Sequence, residues 1–172
     1  LTPGVDLTTG SLGQGISEAV GAALGNRLDG RSSHVFAIIG DGEADEGQVW
    51  EALHFAFAHK LDNLIVFLDN NLYQLDGMTH DVLDHGDIAG KIAAFGLYTQ
   101  EIDGHDFDQL ETAISNAYAK KGVPSCIVLN TIKGKGATFA EPIRAHSSQP
   151  TEEQWQEALT VAERALETAK LQ

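Results

Sequence analysis

Hydrophobic residues along the chain fall into two patterns, short continuous runs and longer helical stripes. Continuous apolar runs occupy residues 34–40 and 64–68, and two less pronounced runs occupy 97–102 and 125–131. Runs without polar alternation are typical of strands that helices cover on both faces. These four segments are therefore predicted to be strands of a buried parallel sheet.

Helical periodicity fills the intervals between the predicted strands. Helices are predicted at residues 14–28, 47–60, 87–95, 106–122 and 151–171. Strand and helix alternate, which favours right-handed βαβ connections. The predicted fold class is α/β, with a three-layer arrangement in which helices flank a parallel or mostly parallel sheet.

Three of the predicted helices begin with the sequence signature of a capping box. In this signature a short polar residue is followed three positions later by Gln or Glu. The three pairs are Asp45 with Gln48, Asp106 with Gln109, and Thr151 with Gln154. We expect residues 1–150 to form one binding module, and 151–172 to form a helix that packs on the module or extends from it.

Length and charge exclude several functional classes. A chain of 172 residues suits one domain, and its net charge of −14 argues against nucleic-acid binding. No apolar run is long enough to span a membrane, and the start of the chain lacks a signal-peptide pattern. The single cysteine fits a reducing, cytoplasmic setting. Because the chain begins at Leu1, we expect it to be either processed or a piece of a longer protein.

Acidic residues cluster where the first predicted strand ends. Asp41 lies between two glycines, and three further acids follow it within five positions. Ligands of open α/β sheets bind at the carboxyl ends of strands, where a carboxylate can hold Mg²⁺ and a helix N-terminus can hold a phosphate. An equally supported alternative is that Asp41 only forms a turn. We expect Glu43, Asp45 and Glu46 to be surface or capping residues.

The second predicted strand ends in a pair of asparagines. On their own, Asn70 and Asn71 would more often form a turn, but Asn71 follows Asp41 by 30 residues. One helix and one strand fit in that interval, and neighbouring parallel strands bring their carboxyl ends to the same edge. An amide oxygen can complete the coordination that a carboxylate begins. The two motifs together therefore predict a cation site more specifically than either does alone.

Other common site classes are not supported by the sequence. The Gly-x-Gly at 13–15 has Glu18 where a dinucleotide fingerprint requires a third glycine, and no Walker A motif is present. No serine lies in a nucleophile elbow, and His54 and His59 lack the spacing of a zinc-binding helix. A dinucleotide-dependent oxidoreductase is therefore disfavoured.

The motifs together resemble a known family. The segment from Gly-Asp-Gly at 40–42 to Asn71 resembles the thiamine diphosphate motif. Thr-Gly-Ser-Leu-Gly-Gln-Gly at 9–15, Ile-Asp-Gly-His-Asp at 102–106 and Lys-Gly-Lys-Gly at 133–136 narrow the resemblance to transketolases. It extends over about residues 2–150 and is strongest to the N-terminal subunit of split bacterial transketolases. The fold implied is the thiamine diphosphate-binding fold, with residues 1–150 as its diphosphate-end module.

The resemblance implies roles for residues at the two strand ends. Asp41 and Asn71 would bind Mg²⁺ (or Ca²⁺) through their side chains, and Tyr73 would do so through its backbone carbonyl. Gly42 would approach the diphosphate through its backbone N–H. Asn71 would thereby also contribute to cofactor binding.

Further roles are implied for residues outside the strand ends. Gly10, Ser11 and Leu12 would contact the thiamine through main-chain atoms, and Lys133 would complement the diphosphate charge. His146 would lie near cofactor and donor substrate as a catalytic residue, although the family's flanking Trp and Gly are replaced at 145 and 147. His105 is expected to organise its loop.

The activity implied is transfer of a two-carbon ketol unit between sugar phosphates, as in the pentose phosphate pathway. The family's aminopyrimidine-activating glutamate belongs to a separate pyrimidine-binding module, and a further N-terminal segment precedes the motif at 9–15. We therefore expect the chain alone to be inactive and to need a C-terminal transketolase subunit, in a homodimer or heterotetramer. Alternatives are the α subunit of a 2-oxoacid dehydrogenase, deoxyxylulose-phosphate synthase and a non-catalytic interacting subunit.

Overall fold

A parallel four-stranded sheet forms the centre of the computed structural model, which describes residues 2–141 and 149–170. The strands are β1 Val35–Gly40, β2 Leu64–Asn70, β3 Tyr73–Gln74, β4 Gly77–Met78, β5 Tyr98–Asp103 and β6 Ser125–Asn130. The main sheet has the order β1-β2-β6-β5, and β3 pairs with β4 in a separate short hairpin. All four predicted strands are confirmed.

The register of the sheet brings the strand ends to one edge. Gly40 in β1 pairs with Asp69 in β2, and Asn130 in β6 pairs with both Asn70 and Asp103. Every pairing in this sheet is parallel. The loops that follow the four strands therefore start side by side.

Helices on both faces complete the predicted α/β arrangement. They are α1 Gln14–Leu28, α2 Gly47–Ala58, α3 Thr79–Val82, α4 Ile88–Ala94, α5 Phe107–Ala119 and α6 Glu152–Ala169. A 3₁₀ turn at Gly42–Asp45 connects β1 to α2. The hairpin and α3 were not predicted, because two- and four-residue elements are too short to show hydrophobic periodicity.

Two apolar clusters show how β2 is buried on both faces. Leu64, Val66 and Leu68 belong to the cluster beneath α1, α2 and α4, whereas Ile65 packs with Ala113 of α5. Cys126 of β6 belongs to the first cluster and is fully buried, and this burial raises the pKa of its thiol to about 12. It is a core residue, as predicted.

The predicted capping boxes differ in outcome. At α6, Thr151 accepts the Gln154 backbone N–H and Gln154 accepts the Thr151 N–H, so this box is confirmed. At α5, Asp106 caps the helix, but the Gln109 side-chain oxygen accepts the Asp103 N–H instead of completing the box. The helix α5 also ends at Ala119, earlier than predicted.

The predicted box at α2 is wrong. Asp45 lies inside the 3₁₀ turn, and the N-cap residue of α2 is Glu46, whose side chain makes no capping bond. The Gln48 side chain instead donates to the Ser17 hydroxyl on α1 at 2.9 Å. A tertiary contact has thus replaced the local one that the spacing suggested.

The helix α6 carries its apolar residues on an exposed surface. Trp155 is 52% exposed and Leu166 is 55% exposed, and no residue of α6 is buried. The division into a module at 1–150 and a helix at 151–172 stays a prediction. Within the described ranges, no helix combines the length and apolarity needed to cross a membrane.

Candidate functional site

Asp41 is a buried carboxylate at the carboxyl end of β1. It is 2% exposed, and it accepts backbone N–H bonds from Gly42 at 2.8 Å and from Leu72 at 2.5 Å. Burial raises the pKa of Asp41; the two N–H bonds counteract this shift, and the Asp69 charge adds to it. Asp41 does form a turn, and this turn keeps the carboxylate away from water. Burial of the ionised carboxylate costs free energy of desolvation, which a cation bound beside it would offset.

Asn71 is held close to Asp41 by the loop that follows β2. Its amide nitrogen donates to the Asp69 carboxylate at 3.0 Å, and its amide oxygen accepts the Tyr73 N–H at 3.1 Å. The second Asp69 oxygen accepts a bond from the Thr131 hydroxyl. The structure thus brings the strand-end motifs together at one edge, with Leu72 joining them directly.

The available donor atoms suit a hard cation. Asp41 offers a carboxylate, Asn71 an amide oxygen and Tyr73 a backbone carbonyl, which are the oxygen ligands that Mg²⁺ and Ca²⁺ prefer. In the ranges 2–141 and 149–170, no three His, Cys, Asp or Glu residues form a metal-binding group. The ligand set of Asp41, Asn71 and Tyr73 contains a single carboxylate, so it would not form a group of that kind.

Gly42 fills a position that no larger residue fits. A Cβ at Gly42 would lie 2.5 Å from the Gln74 Cβ and 3.0 Å from its side-chain oxygen. That Gln74 oxygen is buried, and no residue within 2–141 or 149–170 forms a hydrogen bond with it. The Gly42 N–H donates to Asp41, so its predicted donation to a diphosphate would replace or share this bond. The close approach of Gln74 to the Gly42 backbone and the buried Gln74 oxygen are both consistent with a site that binds a polar group.

The other acids of this loop differ in burial. Glu43 is half-buried and accepts the N–H groups of Gly13 and Gly40 at 2.9 and 3.3 Å, so it ties the start of α1 to the end of β1. Asp45 is also half-buried and lies 2.8 Å from the His85 ring. The surface prediction is therefore wrong for Glu43 and Asp45, whereas Glu46 is exposed as expected.

The remaining predicted residues lie around the same edge. Gly10, Ser11 and Leu12 are exposed immediately before α1, with Leu12 at 54%. Lys133 is half-buried shortly after β6. Its neighbour Ile132 donates a backbone N–H to His105 at 2.8 Å. This bond agrees with a loop-organising role for that histidine.

One predicted residue has no described position, and several site residues were not predicted. His146 lies outside the described residues. The residues that sequence reasoning missed are Asp69, Gln74, His85 and Thr131. Asp69 had a detectable signal, since it directly precedes the asparagine pair at a strand end. Nothing in the sequence pattern identified His85, because it reaches Asp41 across 44 residues.

Comparison with known proteins gives a consistent result. Residues 1–162 match the family described as "Transketolase, thiamine diphosphate binding domain". The chain is 48% identical over 164 residues to a 6-deoxy-6-sulfo-D-fructose transketolase subunit of Clostridium sp.. It is 41% identical over 144 residues to an apulose-4-phosphate transketolase subunit of Actinobacillus succinogenes. These alignments cover 95% and 81% of the chain, but only 60% and 50% of the relatives.

A solved structure shows the same fold. Transketolase from Campylobacter jejuni superposes with a TM-score of 0.81 at 31% sequence identity. The match covers 90% of this chain and 26% of the transketolase chain. The motifs at the strand ends, the parallel sheet and these matches agree. The chain therefore belongs to the transketolase family and contains its thiamine diphosphate-binding domain.

Proposed function

We propose that this chain is the diphosphate-binding part of a transketolase that uses thiamine diphosphate and Mg²⁺. The reaction would transfer a two-carbon ketol unit between sugar phosphates. The observation that carries the proposal is the buried Asp41 carboxylate, joined through the Leu72 N–H to the loop that contains Asn71. A divalent cation bound beside Asp41 would compensate the negative charge of this buried carboxylate.

Each strand-end residue has a distinct part in this proposal. Asp41, Asn71 and Tyr73 would hold Mg²⁺ through a carboxylate, an amide oxygen and a backbone carbonyl. Gly42 would bind the diphosphate through its N–H. When bound, thiamine diphosphate supplies the nucleophilic carbon and the electron sink for carbon–carbon cleavage.

The surrounding loops would bind the rest of the cofactor. Gly10, Ser11 and Leu12 are exposed and available for main-chain contact with the thiamine. The Lys133 ammonium would complement the diphosphate charge. His146 is proposed as a catalytic residue that exchanges a hydrogen bond or a proton with the donor substrate, a task that an imidazole performs near neutral pH.

A second chain is part of the proposal. Both split relatives are named as subunits, and the chain spans 60% and 50% of their lengths. We propose that a pyrimidine-binding transketolase subunit completes the site, in a homodimeric or heterotetrameric enzyme in the cytoplasm. The two relatives are named for different ketoses, so the proposed substrate class is sugar phosphates and related ketoses.

The test is calorimetric titration of thiamine diphosphate and Mg²⁺ into the full-length protein assembled with its partner chain. Wild type should bind, and Asp41→Ala should lose at least about a hundredfold in affinity, because a charged ligand is removed. Asp29→Ala is the matched control, since Asp29 is exposed in an ion pair with Arg31. No binding by the assembled wild type would contradict the proposal and favour a non-catalytic subunit.

A ketol-transfer assay supplies the second readout. The full-length protein is assayed alone and with its partner chain, both at saturating cofactor. We expect activity only in the assembled enzyme. Robust turnover by the chain alone would contradict the proposed need for a partner while leaving the cofactor assignment intact.

A further inference from the structure

A largely buried histidine lies behind the Asp41 turn and has no role in the proposed function. His85 is in the loop between α3 and α4, and its side chain is 11% exposed. Its Nε2 atom lies 3.0 Å from the Asp41 carbonyl oxygen and 2.8 Å from a carboxylate oxygen of Asp45. A single ring nitrogen therefore contacts both ends of the segment 41–45.

The chemistry of these neighbours fixes the role of the ring nitrogen. A carbonyl oxygen and a carboxylate oxygen are both acceptors, so Nε2 carries the hydrogen and donates. The same Asp41 carbonyl also accepts the Ala44 N–H at 3.1 Å, which closes the 3₁₀ turn. His85 thus adds a second long-range donor to Asp41, whose carboxylate already accepts the Leu72 N–H.

The Asp41 carbonyl and the Gly42 N–H belong to the same peptide group. This group is planar and rigid, so its C=O and N–H point in fixed, opposite directions. A donor that holds the Asp41 oxygen therefore also sets the direction of the Gly42 N–H. That N–H is the group proposed to face the diphosphate.

The His85 ring is not enclosed on every side. A cavity of about 350 Å³ adjoins it, lined also by Trp50, Leu83 and Phe95. Because there is free space on this side, the restraint on the ring comes from its hydrogen bond to the Asp41 carbonyl, with the Asp45 carboxylate close by. A substitution that keeps the shape but removes the donor would release the turn.

We propose that His85 is a positioning residue of the diphosphate site, which orients the peptide between Asp41 and Gly42 through its Nε2–H. This inference rests on the proposed function and names a residue outside the predicted site. His85 touches neither the cofactor nor the metal in this assignment. Its effect is on how well the Gly42 N–H and the Asp41 carboxylate are aligned before the cofactor binds.

The test compares four variants in the full-length protein assembled with its partner chain. Thiamine diphosphate affinity is measured by titration at saturating Mg²⁺, and the melting temperature is measured without cofactor. His85→Leu should weaken the affinity about tenfold, consistent with loss of one hydrogen bond. His85→Gln, whose amide nitrogen reaches the Nε2 position, should stay within about threefold of wild type.

Two further variants complete the design. His85→Asn is polar but too short to place a donor at the Nε2 position, so it should resemble His85→Leu. It serves in place of the leucine variant if that protein does not fold. His80→Leu is the matched control, since His80 is exposed and pairs with the exposed Asp81 at 3.2 Å. This control should bind as wild type does.

The outcomes separate the two proposals. Wild-type affinity in His85→Leu or His85→Asn would overturn the positioning role and leave the proposed function intact. Equal weakening in His85→Gln and His85→Leu would also overturn it, because rescue by the donor is its specific requirement. Absence of binding by the wild-type enzyme would overturn the proposed function, and this inference with it.

Discussion

The Leu72 backbone N–H donates a 2.5 Å hydrogen bond to the Asp41 carboxylate, across 31 residues of sequence. This bond joins the loop after β1 to the loop after β2, and it ties the buried carboxylate to the loop that contains Asn71. The residue that donates it has a left-handed backbone, with φ of +67°. Residues other than glycine disfavour that conformation, so the loop carries a local conformational cost at Leu72.

Substitutions at Leu72 should therefore follow backbone conformation rather than hydrophobicity. Leu72→Val should lower the free energy of unfolding by about 1–2 kcal/mol, because a β-branched residue is worse in this region. Leu72→Gly should stay within about 0.5 kcal/mol of wild type, since relief of strain offsets the entropy of glycine. The Leu72 side chain is 49% exposed, so little burial is lost. Urea denaturation measures the unfolding free energy of both variants. A Leu72→Val protein more stable than wild type would contradict this prediction.

The raised pKa of Asp41 predicts how stability depends on pH without metal. Burial raises this pKa above its usual 3.8, so just above pH 3.8 the folded state retains a proton that the unfolded state has released. The free energy of unfolding should then fall as pH rises through the folded-state pKa. Asp41→Ala lacks this effect, so its stability relative to wild type should improve over the same range. Denaturation at several pH values without divalent cations measures the unfolding free energy of Asp41→Ala and of wild type. Parallel pH profiles of the two proteins would refute the prediction.

Gly96 should be intolerant of any side chain. It follows α4 with φ of +96°, and a Cβ there would overlap the Phe57 ring of α2. Gly96→Ala should lower the free energy of unfolding by about 2–4 kcal/mol, through strain and overpacking. Gly122→Ala is the control, since its φ is +78° but, apart from its chain neighbours, no atom of the described residues lies within 4 Å of its Cβ. The control should lower the free energy of unfolding by about 1–2 kcal/mol. Equal losses in Gly96→Ala and Gly122→Ala, measured by urea denaturation, would exclude the steric contribution of Phe57.

Gly42→Ala should impair both the turn and the proposed cofactor site. Its Cβ would meet the Gln74 Cβ at 2.5 Å, which would push the β3–β4 hairpin away from the Asp41 turn. We expect the free energy of unfolding to fall by about 1–3 kcal/mol and thiamine diphosphate affinity to fall at least about tenfold. Gly47→Ala should change neither quantity by much, because in the described part of the chain no atom outside the local helix backbone lies within 4 Å of its Cβ. Unchanged affinity in Gly42→Ala would argue against a diphosphate beside Gly42.

Some elements were predictable because their cause is local. The bounds of α1 were predicted correctly from its apolar spacing. The strand β2 was predicted at 64–68 from its continuous apolar run, and it extends two residues further, to Asn70. The Thr151 box formed as predicted because both of its bonds lie within four residues. The Asp45 box failed because its partners had better contacts elsewhere. Gln48 reaches Ser17 on α1, and Asp45 faces His85.

The sequence by itself determined the α/β alternation, the two strand-end motifs and the family they resemble, because apolar periodicity and short motifs are local properties. Only the tertiary structure decided the strand order, and with it the level ends of β1 and β2 that bring Asp41 next to the loop containing Asn71. It also decided that Glu43 accepts the N–H groups of Gly13 and Gly40. Hydrogen bonds between residues distant in sequence depend on how helices and strands pack, so the hydrophobic pattern of the sequence does not predict them.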